Sequence, residues 1–200
     1  MDAPEATPNP EAAEARKRPK PGERRIQILQ ALATMLEEPG TERVTTALLA
    51  ARIGVSEAAL YRHFASKAQM FEGLIEFIEQ SLFTLVNQIQ TREESGQAQA
   101  KRIVSMVLQF AEKNPGMTRV MAGDALVFEH QRLQERMNQL FDKLEASLRQ
   151  SLKEATTLDA KLHASVATAF VQGRLQRYAR SGFKRLPTEQ LETSLALVLG

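Results

Sequence analysis

Between Thr45 and Lys67 the sequence runs TTALLAARIGVSEAALYRHFASK, and no other stretch constrains the fold as tightly. Either Thr45 or Thr46 can cap a first helix, whose Leu49, Ala50 and Ile53 place apolar groups on one face. Gly54 supplies a left-handed residue that ends that helix without a Cβ clash, and Val55 follows as its apolar contact. Ser56 caps a second helix, and Glu57 puts negative charge in its positive first turn. Leu60 and Phe64, four residues apart, bury one side and leave Ala58, Ala59, Tyr61, Arg62 and His63 outward. The spacing predicts two short helices joined by a tight turn, the helix-turn-helix layout whose second helix enters a DNA major groove. An ordinary helical hairpin is the alternative. It does not account for capper, Gly-Val turn, second capper and the Tyr61-Arg62-His63 cluster all agreeing.

Charge is concentrated just ahead of this motif. The chain of 200 residues carries a formal +2, but residues 16–25 hold six basic groups and one acid, a net +5 that leaves −3 for the rest. Five of the eight prolines fall in residues 1–21, where the apolar residues are nearly all alanine. That composition predicts a disordered basic tail over residues 1–22, either an arm held near phosphates by counterion release or a solvated segment that only aids solubility.

Beyond the tail the pattern is helical throughout, with no strand alternation. A first helix is predicted over Glu23–Glu38, burying Ile26, Leu29, Ala33 and Leu36 and stopping at Pro39-Gly40. After the motif, Ser66 caps a long helix to about Gln90 with the core stripe Phe71, Leu74, Ile75, Ile78, Leu82, Leu85, Val86 and Ile89. Phe77 and Phe83 each sit about 120° off that stripe, at ~100° per residue. Gly96 marks a break before a helix over Ala98–Lys113, which Asn114-Pro115-Gly116 ends. A short helix is expected over Thr118–Ala122, and a longer one from Asp124 or Glu129 to Glu154 with the near-heptad seam Leu133, Met137, Leu140, Phe141, Leu144, Leu148 and Leu152. The last large helix is placed over Leu158–Ser181, with Ala164, Ala167 and Gly173 allowing close helix contact, and a final helix follows Pro187. The reading is all-α: a three-helix head over residues 23–68 containing the motif at 45–64, and a helical bundle over 69–200 for dimerisation and partner binding.

Catalytic chemistry has little to stand on. There are no cysteines, and His63, His130 and His163 are too scattered for metal-ligand spacing. No glycine-rich phosphate loop or nucleophile elbow appears, so no enzyme activity, cofactor or metal is expected. The apolar runs fall far short of the ~20 residues that span a bilayer, and with no signal peptide at the start the expected compartment is the cytoplasm.

A short head ending in Tyr61-Arg62-His63-Phe64 and followed by a capped long helix resembles the TetR family of regulators over residues 23–70. The resemblance extends along the chain to the nucleoid occlusion members of that family, through SEAALYRHF (56–64), MFEGLIEFIE (70–79), KNPGMTR (113–119), ALVFE (125–129) and RLQERMNQLF (132–141). It implies an all-helical homodimer on palindromic double-stranded DNA, located in the cytoplasm on the nucleoid. It also implies contact with the tubulin-like division protein FtsZ, blocking ring assembly, with no small-molecule effector. The alternative within the family is a repressor gated by a ligand enclosed in the C-terminal helices.

Placed on the motif, these expectations name residues. Arg43, Thr45 and Thr46 stand at the start of the first motif helix, where hydroxyls and amides suit a phosphate. Ser56, Glu57, Ala58 and Ala59 form the end of the recognition helix that reaches deepest into the groove. Alanine suits a thymine methyl, and Glu57 either accepts from a cytosine amine or remains a helix-start charge. Tyr61, His63 and Lys67 are placed for the sugar-phosphate backbone. Leu48 departs from the pattern, since relatives often carry a polar or basic group there. Division-protein tails are acidic and apolar, so a groove of apolar residues rimmed by Lys or Arg suits one. Met70, Phe77 and Phe83, with Lys101 and Arg102, are its candidate lining, the alternative for each being packing within the chain or a solvated charge.

Overall fold

Thr45, Ser56 and Ser66, named above as caps, each start the helix that follows. The computed structural model describes residues 22–38, 43–155 and 159–200. Along these run α1 (Glu23–Glu37), α2 (Thr46–Arg52), α3 (Glu57–Tyr61), α4 (Lys67–Arg92), α5 (Gly96–Lys113), α6 (Pro115–Met121), a 3₁₀ turn (Asp124–Leu126), α7 (Gln131–Leu152), α8 (Ala160–Arg180) and α9 (Leu191–Leu199). The all-α expectation holds for the described residues. Residues 1–21 of the basic tail and the Pro39-Gly40 stop lie outside them. Thr45, Ser56, Ser66 and Ser95 each accept an amide three residues on, from Leu48, Ala59, Gln69 and Ala98. That settles the choice between the two threonines in favour of Thr45.

The head closes on Ile28, Leu32, Val44, Leu49, Leu60 and Phe64, all at most 2% exposed, with Phe71 and Leu74 of α4 completing its core. One expectation for α1 fails here. Ile26 is 54% exposed, Leu29 only partly buried, and the buried stripe is Ile28, Leu32, Ala33, Met35 and Leu36. α1 packs against α2, α4 and α6, so its buried arc is set by three neighbours and lies rotated from the stripe its own periodicity favours.

α4 (26 residues) is about 39 Å long at 1.5 Å per residue and joins the head to the body. In the body α5 and α7 pack against it, α8 packs on α5, α6 and α7, and α9 lies against α5 and α8. Every residue of the α7 seam is buried, from Leu133 to Leu152. Leu85, expected in the α4 core stripe, is instead 37% exposed, and Ile89 is only partly buried, because the far half of α4 leaves a groove beside α5. On the side facing α7, Glu79 receives Lys143 and Arg136. The hydrogen bond from Lys143 is the main influence holding its carboxyl below the usual range, against desolvation by burial.

Two glycines act as contact points. Gly96 opens α5 where a break was expected; a Cβ there would lie 2.0 Å from the carbonyl oxygen of Ser151, so only glycine lets α5 start against the end of α7. Gly116 is the second residue of α6, which Pro115 begins. Its Cβ would lie 1.9 Å from the Ala33 carbonyl oxygen on α1. Gly173, expected to admit a close helix neighbour, has open space around it, whereas Ala164 and Ala167 are fully buried. The buried His163 ring ties α8 to α9, its Nε2 lying 2.7 Å from the Val198 carbonyl oxygen.

Candidate nucleic-acid interface and partner groove

α3 is only five residues long, too short to hold its shape alone. It is held by Ser56 at one end and by Leu60 and Phe64, at 0% and 1% exposure, beneath it. Val55 donates its amide to the Ala50 carbonyl, and Gly54 takes φ +68°, fixing the angle between α2 and α3. Arg25 adds a clamp absent from the sequence reading. Its guanidinium lies 4.1 Å from the Phe64 ring centroid and donates to the His63 carbonyl at 3.0 Å. The basic run around Arg25 gave no signal of this, since only the folded α1 brings it to the end of α3.

This anchoring leaves Ser56, Glu57, Ala58, Tyr61, Arg62 and His63 exposed on one side, with Ala59 half-buried and Arg43 and Thr45 exposed nearby. Thr45 uses its oxygen lone pair to cap α2, accepting from Leu48 at 3.2 Å, which leaves its O–H proton for an outside acceptor. Thr46 is differently engaged: its hydroxyl donates to Glu57 Oε2 at 2.6 Å, across the motif. Leu48 is exposed on α2, at 54%.

Lys67, expected at the DNA backbone, is paired with Glu129, which precedes α7. Their side chains are 22% and 10% exposed, so the bridge is largely screened from solvent. Lys67 also lies 5.7 Å from the Phe71 ring centroid. A phosphate recruiting Lys67 competes with Glu129. Glu129→Gln is therefore expected to strengthen DNA binding several-fold and to steepen the salt dependence by up to ~0.9 log-log units per monomer. The check is a salt titration of DNA affinity beside Glu135→Gln, which removes the same charge from an exposed site on α7. Equal effects of the two variants would remove Lys67 from the DNA contacts.

The partner residues do not gather as expected. Met70 is 0% exposed and belongs to the core, and Phe83 packs against the core as a partly buried residue. Lys101 donates to the Gly200 carbonyl at 3.0 Å. Met70 as groove lining is corrected by its full burial, and Phe83 is not among the residues that line the α4–α5 groove. Phe77 is 47% exposed, and Arg102 lines a real groove between α4 and α5. Leu85, Ile89 and Met106 form its apolar floor, and Arg92, Arg102, Glu93 and Glu192 are among the residues at its edge. Arg102 is held by Glu93 at 2.7 Å. Phe77 stands about two helical turns toward the head from Leu85. Leu85, Ile89 and Met106 were missed as lining because the same alternation reads equally well as core.

Among the described residues there is no cluster of His, Asp or Glu able to hold a metal, and no helix is long and apolar enough to cross a membrane.

Two family models match this chain. That of bacterial regulatory proteins of the tetR family covers residues 28–74, and a SlmA-like one, described as the C-terminal domain of tetracyclin-repressor-like proteins, covers 95–199. Among individual relatives, the nucleoid occlusion factor SlmA of Klebsiella pneumoniae is 51% identical over 183 residues, 88% of this chain and 92% of that protein. SlmA of Vibrio cholerae is 49% identical over 183 residues, 88% and 93% of the two chains. SlmA of Idiomarina loihiensis is 50% identical over 173 residues, 83% and 88%. Among solved structures, the fatty acid degradation regulator FadR of Bacillus halodurans superposes with a TM-score of 0.75 at 17% identity, covering 91% of this chain and 97% of that one. A transcriptional regulator of Rhodococcus sp. Rha1 superposes with 0.74 at 23%, covering 88% and 94%. At those identities the structural likeness speaks for the fold alone.

Proposed function

The chain belongs to the TetR family, in its SlmA-like branch, and on that premise we infer that it is a DNA-binding nucleoid occlusion factor. As a dimer on palindromic chromosomal sites it binds FtsZ and blocks assembly of the division ring over the nucleoid. The observation that carries the DNA half is the anchored α3, whose buried Leu60 and Phe64 leave Ser56 to His63 presented outward beside Thr45. The division of labour follows the three segments: a basic tail over 1–22, a DNA-binding head over 23–68, and a dimerisation and partner-binding body over 69–200. The protein works in the cytoplasm, on the nucleoid, without catalysis, cofactor or effector.

A second copy suits the exposed side of the last two helices. Leu162 and Val166 of α8 are 62% and 49% exposed, Leu197 of α9 is 84% exposed, and Gly173 stands open beside them. Symmetry then sets two recognition helices on a palindrome with half-sites about one DNA turn apart or somewhat more. The α4–α5 groove suits the acidic, apolar tail of a division protein, with Arg92 and Arg102 at its edge and Leu85, Ile89 and Met106 beneath. Burial among the described residues of the body supports a packed interior over one that encloses an effector, as a gated repressor would need. Val104, Val107, Leu108, Leu148 and Val171 are each 0% exposed.

FtsZ co-sedimentation with and without the specific palindrome tests this function. The expected result is loss of sedimenting polymer that depends on the DNA; polymer unaffected in both conditions overturns the FtsZ half. Tyr61→Phe tests the DNA half. It removes one exposed hydroxyl and should weaken specific binding by about 1 kcal/mol or somewhat more without changing the melting temperature, and unchanged affinity removes Tyr61 from the contacts.

A further inference from the structure

We propose that Thr46 and Glu57 act as one specificity unit that selects a cytosine in each half-site, at the base pair facing the first turn of α3. The inference rests on the DNA-binding reading above and assigns Thr46 a positioning role in place of a phosphate contact. Three observations carry it.

The first is the bond itself. Thr46 Oγ1 donates to Glu57 Oε2 at 2.6 Å and links the first residue of α2 to the first residue of α3. Thr46 is half-buried and its backbone is set by the helix it begins. Being β-branched, it is stiff at χ1. A flexible glutamate is thus held from a rigid point, with Oε2 occupied and Oε1 open.

The second is that no cation among the described residues pairs with Glu57. It is exposed, and helix capping does not need it, since Ser56 already satisfies the Ala59 amide. A carboxylate on a surface that meets phosphates is repelled by them, and the Thr46 hydroxyl and the first turn of α3 offset that with partial charges only, which favours a further donor on the DNA.

The third is the chemistry of base edges. An ionised carboxylate only accepts hydrogen bonds. In the major groove guanine offers two acceptors and thymine an acceptor beside its methyl. Adenine offers its amine next to the N7 acceptor, whose lone pair opposes a carboxylate. The cytosine amine has an acceptor on one side only, the guanine O6 of its pair, whereas the adenine amine is flanked by its own N7 and by thymine O4. A fixed carboxylate therefore prefers C·G at that step.

The test is selection of half-sites from a randomised duplex library by the full chain and by three variants, with helicity and melting temperature followed in parallel. The wild type should select cytosine at one position in each half-site. Glu57→Gln should lose at least ~5-fold of that preference and shift it toward adenine, which glutamine contacts through N6 and N7 together. Thr46→Val should relax the same position and no other, and Thr46→Ser, which keeps the hydroxyl, should retain it. Glu57→Gln binding all sequences more tightly with an unchanged base profile would overturn the proposal, leaving Glu57 a helix-start charge. Thr46→Val altering the salt dependence but not the base profile would likewise overturn it, making Thr46 a phosphate ligand. A wild type that selects no site at all would bring down the DNA-binding reading and this proposal together, whereas a selected site with no cytosine effect removes the Thr46–Glu57 unit alone.

Discussion

Gly116→Ala is expected to lower stability by ~3 kcal/mol or more, at the upper end for overpacking, and to weaken DNA binding beyond what the loss of folded protein explains. Alanine is ordinarily the better helix former, by about 1 kcal/mol over glycine, but here the backbone opposite decides the sign. The new Cβ would lie 1.9 Å from the Ala33 carbonyl oxygen and 2.8 Å from its carbon, both backbone atoms. No rotamer change relieves that contact, and α6 has to withdraw from α1. The same joint holds Arg119, whose guanidinium donates to the Leu36 carbonyl at 3.2 Å, so the displacement passes into the head. For a chain of this size the melting temperature should fall by about 6–12 °C. Gly96→Ala is the comparison. Its Cβ would lie 2.0 Å from the Ser151 carbonyl oxygen, where α5 meets the end of α7. It should destabilise to a similar degree while its folded fraction binds DNA normally. Unchanged melting and DNA affinity in Gly116→Ala would mean that α6 does not join the head to the body through this glycine.

Phe77→Ala is expected to abolish the DNA-dependent loss of FtsZ polymer while leaving the palindrome bound within about twofold. Truncating a fully buried phenylalanine costs ~3–5 kcal/mol, but Phe77 is 47% exposed and should cost well under that. A large aromatic left half in solvent, about two helical turns from a groove with an apolar floor and an edge of mixed Arg and Glu, can anchor a partner segment that runs along α4. Melting temperature, DNA affinity and polymer sedimentation measured on the one variant separate the outcomes. Lower stability with DNA binding falling alongside would place Phe77 in the packing of α4. A stable variant with both activities intact would remove Phe77 from the FtsZ surface and leave the floor of Leu85, Ile89 and Met106 to be tested in its stead.

The parts of this protein that were legible in the amino-acid sequence are those governed by chemistry a few residues long. Thr45, Ser56 and Ser66 cap their helices because a side-chain oxygen and the amide three residues on meet wherever a helix begins. Gly54 ends α2 because its left-handed turn strains any residue with a Cβ. The α7 seam was readable because seven apolar residues repeat in step with the helix. Residues on a helix facing several neighbours were not readable. α1 carries more than one apolar stripe, and the simultaneous docking of α2, α4 and α6 buried Ile28 and Leu32 and left Ile26 outside. The same holds for the glycines, whose value depends on whether a backbone lies opposite: one does at Gly96 and Gly116 and none at Gly173. Within the site, the sequence determined which residues stand on the exposed side of α3, since Leu60 and Phe64 claim the other side. Only the tertiary structure decided which of them are already engaged. Thr46 with Glu57 and Lys67 with Glu129 are pairs 11 and 62 residues apart, and no local rule connects side chains across that distance.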